Sequence, residues 1–450
     1  MMTSNKLFLA LTLACAVITL PSPASAAAGQ LDSTFAKGGI FLANNAGLTN
    51  SVATAFAIGR KGRIVIAGQL PLPPGGSPQP AVFRLNSNGA LDTSFGTNGV
   101  ASINFREGGG EIATSLVLQP DGKIVIGVSL GTADAPPALV LVRLDENGAI
   151  DSSFGNSGVA FLFRGGPDIA FLVQQCDGKL LAGGGMLIAR VTADGALDTT
   201  FGQNGIAPLV APAASIVLES GGKILAISGP AGVLESTPLM SIGVPPVAST
   251  IVRYNQDGTL DTSFATLGRS ASIVGISAAL LQSNGEIVAV GPITSKSFVV
   301  TVPALTFETA FAAARYNSNG GIDDTFGSEG AAITSFGSAP VAVPSGLVIQ
   351  SDGRIIAAGE VETSVSAGEP PSASLALARY TSTGALDTSF GSGGTVLTSI
   401  GPSSSTNAAG IVAVALDAEG RLVAVGNVSE SSATGAIPQT SMVVARYLTQ

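Results

Sequence analysis

The chain has 450 residues, of which 46% are hydrophobic and 11% charged, with 58 glycines, 25 prolines, no tryptophan and no histidine. Without histidine there is no Ser-His-Asp or Cys-His nucleophile, no His-ligated zinc or haem, and no imidazole general base. The formal net charge is −9 and no run of Lys or Arg interrupts it, so neither a nucleic-acid stripe nor a lipid-headgroup patch is expected.

In chain order, the first element is a short polar segment with one cation, Lys6, followed by an apolar stretch from Leu7 to Leu20 and then Ala24-Ser25-Ala26. This pattern reads as a secretory signal peptide over residues 1–26, with an apolar core too short to span a bilayer comfortably. Cys15 falls inside it, and the preceding Thr12-Leu13-Ala14 fit a lipoprotein box poorly. Its removal takes away Lys6 and no acid, leaving Cys176 as the one cysteine, so no internal disulfide can staple the remaining chain. Export to the periplasm or the extracellular space is expected, and no second membrane span is evident.

From residue 27 onward one order of elements recurs. An aliphatic run such as Ser115-Leu-Val-Leu is followed by a tight turn and a β-branched run, as in Asp121-Gly122 before Lys123-Ile-Val-Ile. A third run ends in Arg plus Leu, Val or Tyr, as in Leu375-Ala-Leu-Ala-Arg-Tyr, and a second Gly turn leads to a Leu-Asp motif. That motif stands at Leu31-Asp-Ser-Thr-Phe, Leu91-Asp-Thr-Ser-Phe, Ile150-Asp-Ser-Ser-Phe, Leu197-Asp-Thr-Thr-Phe, Leu260-Asp-Thr-Ser-Phe, Ile322-Asp-Asp-Thr-Phe and Leu386-Asp-Thr-Ser-Phe. Its aspartates are 60, 59, 47, 63, 62 and 64 residues apart. A period of this size means an array or a propeller, and four short strands joined by two tight turns make each unit.

Seven such units predict an all-β chain: a seven-bladed β-propeller with four-stranded blades, forming one domain over residues 27–450. The last third strand, Ser441-Met-Val-Val-Ala-Arg-Tyr, has no Leu-Asp strand after it, whereas the chain after the signal segment opens with an orphan one at Leu31. The N-terminal strand is therefore expected to complete the last blade and close the ring.

These motifs resemble the delta-60 repeat family, bacterial sequences of about 60-residue units with a Leu-Asp-x-Ser-Phe-Gly-x-x-Gly core and an Asp-Gly-Lys-Ile turn and strand. The resemblance covers essentially all of residues 28–450, with Ala36 and Ala265 in place of the Gly after Phe. It implies a propeller-like architecture and bacterial export, and supplies no activity and no catalytic residues.

Seven arginines recur with the motif, and six precede an aspartate by eight positions. A three-residue turn with Gly in the left-handed position, as in Ser87-Asn88-Gly89, places Asn86 opposite Ala90 and hence Arg84 opposite Asp92. The same register predicts Arg143 with Asp151, Arg190 with Asp198, Arg253 with Asp261, Arg315 with Asp323 and Arg379 with Asp387. Arg446 would meet Asp32 across the ring closure. These pairs are read as structural and shielded between blades. Asp145-x-Asn147-Gly-x-x-Asp151 resembles part of a calcium loop, but the other copies lack the leading acid, so no metal or cofactor is expected. The repeated Phe35, Phe95, Phe154, Phe201, Phe264, Phe326 and Phe390 are read as wedges between blades.

Both tight turns fall on one side of the disc. The strand two to three connections on the other side vary and are rich in Pro and Ser, except where Gly183-Gly184-Gly185 turns at once. Variable loops on a rigid scaffold are where recognition sits. The favoured function is a monomeric binding or scaffold module for a protein or glycan. A carboxylate-dependent hydrolase or lyase acting on a polysaccharide is the alternative, with acids drawn from Glu107, Glu111, Asp168, Glu235 and Glu308 and no pair singled out. A cell-surface adhesion component is the other. An outer-membrane barrel is disfavoured, because 4 tyrosines and no tryptophan cannot build aromatic girdles.

Overall fold

The structure, a computed structural model, describes residues 27–71, 78–104, 111–132, 135–164, 171–228, 249–294, 300–301, 304–305, 309–337, 339, 341–363, 372–400, 407–430 and 439–450. The segment read as a signal peptide lies outside these residues. Among them there is no α-helix, and no helix is long and apolar enough to cross a membrane.

The repeats fold into seven antiparallel blades arranged as a β-propeller. Blade one is Val52–Ile58, Ile64–Leu70, Gln79–Leu85 and Val100–Ser102, hydrogen-bonded in that order. Blades two, four, five and six repeat it, beginning at Glu111–Leu118, Ser215–Leu218, Ala278–Leu281 and Val341–Ile349. Blade seven takes Asn407–Leu416, Leu422–Glu430 and Gln439–Tyr447 from the C-terminal end. Its outermost strand is Ile40–Leu42, paired antiparallel with Gln439–Tyr447, so the first described strand closes the ring.

Blade three compresses the plan. Its two middle strands follow each other without an intervening connection in Leu180–Val191, whose first half pairs with Phe171–Gln174 and whose second half pairs with Ile206–Ala213. The chain doubles back around Gly185, at φ 53°, and a Cβ on Gly183 would stand 2.3 Å from the Leu187 carbonyl oxygen. Glycines make so short a reversal possible.

The fourth strand differs from the sequence expectation. Only the Leu or Ile that opens each motif pairs, as Leu91 does with Leu85, and the outer strand starts several residues later, at Val100 in blade one. The aspartate diverts the chain: Asp92 Oδ1 accepts hydrogen bonds from the Ser94 amide at 3.2 Å and the Ser94 hydroxyl at 2.6 Å, closing a local turn.

Alternation along each strand explains the core. Ile64 and Ile66 pack toward blade seven while Val65 and Ala67 pack toward blade two, so the middle strands are apolar on both faces. The buried residues accordingly form seven clusters, one at each junction between neighbouring blades.

Candidate functional site

The most highly organised polar constellation is repeated seven times, on the rim that carries the tight turns. Pairing across the second turn sets the register: Asn86 N–H donates to the Ala90 carbonyl and Asp92 N–H to the Arg84 carbonyl, each at 2.8 Å. Arg and Asp thus share a face. The Arg Nε to Asp Oδ2 distance is 2.8 Å for Arg84 and Asp92, 2.8 Å for Arg143 and Asp151, and 2.7 Å for Arg190 and Asp198. It is 2.7 Å for Arg253 and Asp261, 2.6 Å for Arg315 and Asp323, 2.9 Å for Arg379 and Asp387, and 2.9 Å for Arg446 and Asp32.

Each guanidinium also reaches into the next blade. Arg143 Nη1 donates to the Ala193 carbonyl at 2.7 Å, Arg190 to Gln256 at 2.6 Å, Arg253 to Ser318 at 3.0 Å and Arg315 to Ser382 at 2.8 Å. Arg84 does the same to Glu146, Arg379 to Thr449, and Arg446 to Ser87 at 2.6 Å. The backbone adds a parallel bond after each motif Phe, as from Gly96 N–H to the Asn147 carbonyl at 2.8 Å. The Arg side chain lies over the Phe ring of its own motif, with Arg84 Cζ 4.4 Å from the Phe95 centroid and Arg446 Cζ 4.6 Å from that of Phe35. All seven motif phenylalanines are fully buried at blade junctions. The next blade's turn has to sit directly on this ring. Gly148, at φ +89°, meets the Phe95 ring where a Cβ would be only 2.9 Å from it.

Charge within the clamp is nearly self-contained. Burial pushes the Asp92 carboxyl up, but the Ser94 hydroxyl and amide and the Arg84 guanidinium outweigh it and hold the group below the ordinary value of 3.8. The other six motif aspartates are lowered in the same sense, Asp151 chiefly by the Ser153 hydroxyl. A second cation, not anticipated from the sequence, touches most of them from the start of the second strand. Lys123 is 3.0 Å from Asp151, Lys179 2.9 Å from Asp198, Lys223 2.5 Å from Asp261 and Arg354 3.0 Å from Asp387, with Arg63 and Arg421 each 3.5 Å from Asp92 and Asp32. Blade five reverses the sign, since Glu286 stands there, 3.4 Å from Arg315. The signal was visible in the turn-plus-Lys run, which carries the cation in six periods of seven.

The remaining polar candidates lie elsewhere. Asp145 caps its own turn, accepting from the amides of Asn147 and Ala149 at 2.9 Å each, while Asp151 is engaged with Arg143 and Lys123. Among the described residues no group of three or more His, Cys, Asp or Glu side chains is placed to hold a metal ion. Of the acids considered for hydrolysis, Glu107, Asp168, Glu235 and Glu308 lie outside the described residues, and Glu111 is buried in the first strand of blade two. A cleft of about 450 Å³ opens at the clamp between blades three and four, lined by Lys179, Arg190, Thr200, Asn255, Gln256 and Asp257, and its two cations already hold Asp198.

No curated protein matches the chain. Solved structures with a similar course include a gluconolactonase from Xanthomonas campestris, at 12% identity over 72% of this chain and 89% of that one, with a TM-score of 0.33. A GH93 α-L-arabinofuranosidase from Fusarium graminearum is 8% identical over 93% and 96%, at 0.38. The PQQ-bound aldose sugar dehydrogenase from Streptomyces coelicolor is 12% identical over 91% and 98%, at 0.36. At such values nothing of those activities passes to this chain. Residues 62–95, 119–154, 175–201, 245–264 and 350–390 match the family model described as a domain of unknown function (DUF5122) beta-propeller. The match falls on five of the repeats and agrees with the propeller fold described above.

Proposed function

We propose that this protein is an exported binding module of the delta-60 repeat type, taking a protein or glycan partner on the rim opposite the clamps. The supporting observation is the contrast between rims. On the clamp rim the turns and the motif charges are engaged in joining blades. On the other rim the connections between second and third strands range from the immediate reversal at Gly185 in blade three, through eight residues in blades one, six and seven, to the stretch between Ile227 and Thr250 in blade four. A rigid ring with divergent connections on one rim provides a shaped surface without disturbing the core.

The test is a glycan array and affinity capture with the mature chain, repeated with variants in which residues 71–78 or 431–438 are replaced by Asn-Gly. A partner held by the parent and lost by a connection variant, whose unfolding free energy stays within about 0.5 kcal/mol of the parent, supports the reading. A partner retained by all connection variants, or a glycan converted to product, overturns it.

A further inference from the structure

Blade seven contains the first and the last of the described strands, and its two junctions are latched differently on the rim opposite the clamps. At the junction with blade one, Asn427, the sixth residue of Leu422–Glu430, reaches across to Ala53. Its Nδ2 donates to the Ala53 carbonyl at 2.9 Å and its Oδ1 accepts the Ala53 N–H at 2.8 Å. At the junction with blade six the sixth residue of the corresponding strand, Ile355–Thr363, is Glu360. Its carboxylate crosses the same gap and rests on Gly410 of blade seven, where a Cβ would come within 2.7 Å of Oε2. Glycine at 410 makes room for an acid at 360.

An ionised carboxylate can only accept hydrogen bonds. A neutral one carries one donor and one acceptor, the same complement with which the Asn427 amide holds Ala53. We propose that Glu360 is a proton-operated latch between blades six and seven, tightening the joint when neutral and loosening it when ionised.

The surroundings favour the neutral form. Glu360 is half-buried, and burial together with the like charge of Glu362, two residues along the same strand, pushes its carboxyl up from 4.5 to about 7. Among the described residues no cation offsets this. The first strand of blade six, Val341–Ile349, and the first strand of blade seven, Asn407–Leu416, contain no titratable residue. In Ser372–Tyr380, Arg379 and Tyr380 pair with Ile356 and Ile355 at the far end, held by Asp387 and Thr334. The sign follows from proton counting. The closed joint keeps a proton that the open joint releases, so closure is strongest below about 4.5, weakens as pH rises, and levels off above about 7.

The experiment is hydrogen exchange on the full chain between pH 4.5 and 8, read as protection factors corrected for intrinsic exchange, comparing Asn407–Leu416 with Val52–Ile58. In the parent, protection of 407–416 should fall roughly tenfold per pH unit up to the plateau, while Val52–Ile58, gripped by the non-titrating Asn427, stays flat. Glu360→Gln should keep 407–416 protected at every pH. Gly410→Ala should weaken protection throughout by crowding the carboxyl. A ¹³C carboxyl titration should place the Glu360 midpoint near 7. A flat parent profile, an unchanged slope in Glu360→Gln, or a midpoint near 4.5 would each overturn the latch.

Discussion

On the clamp rim, seven copies of one solution are laid side by side: Arg over Phe, Asp held by Arg and by its own Ser or Thr, and the neighbouring turn seated on both. On the opposite rim almost nothing repeats. One junction has an Asn grip, another an acid on a glycine, and the connections run from an immediate reversal in blade three to the stretch between Ile227 and Thr250 in blade four, with eight residues in three blades. The difference teaches that a repeat chain keeps fixed what joins a unit to its neighbour. Each blade exposes two apolar faces that no blade can bury alone, so the joint is what every copy must preserve.

The comparison is tested most severely by acid. All seven motif carboxyls are held below 3.8, so their contribution to stability is complete above that value and is lost as pH falls beneath it. Unfolding followed by circular dichroism should therefore become steep in several protons below pH 4, and Asp92→Asn should make it shallower. Next in size is Arg446→Met, which leaves Asp32 buried without its nearest cation and removes the bond to Ser87, at about 3–5 kcal/mol by urea unfolding. Shortening a connection on the other rim should cost almost nothing by the same assay. Gly148→Ala presses a Cβ onto the Phe95 ring from a left-handed backbone and should cost about 1–3 kcal/mol. Glu286→Lys gives blade five the second cation of its siblings and should gain no more than about 1 kcal/mol, because the site is partly exposed.

Much of this was legible beforehand because hairpin geometry is local. A three-residue turn at Ser87, Asn88 and Gly89 fixes which residues face each other, so Arg84 opposite Asp92 follows from spacing alone, and the lone motif at Leu31 points to closure by the N-terminal strand. The chain ends even rebuild the missing turn: Gly29 N–H donates to Leu448 at 2.7 Å and Leu448 N–H to Gln30 at 2.9 Å, where other blades have a continuous loop. The outer strand was misplaced because Asp92 and Ser94 satisfy one another locally and pull the motif out of the ladder, a preference that apolar periodicity does not register. The reach of each Arg to a carbonyl on the next blade was invisible, since every residue has a carbonyl and only the packing of the ring selects Ala193 or Gln256. Glu360 escaped notice for a related reason, because its setting depends on Gly410, fifty residues away.

The clamps as joints between blades are tested most directly where the two ends of the chain meet. A double-mutant cycle combining Arg446→Met with Asp32→Asn, measured by urea unfolding of the chain, isolates that contact. The account predicts a coupling of about 1–3 kcal/mol, the double variant being less destabilised by that amount than the sum of the two single variants. Two small effects that simply add would contradict it.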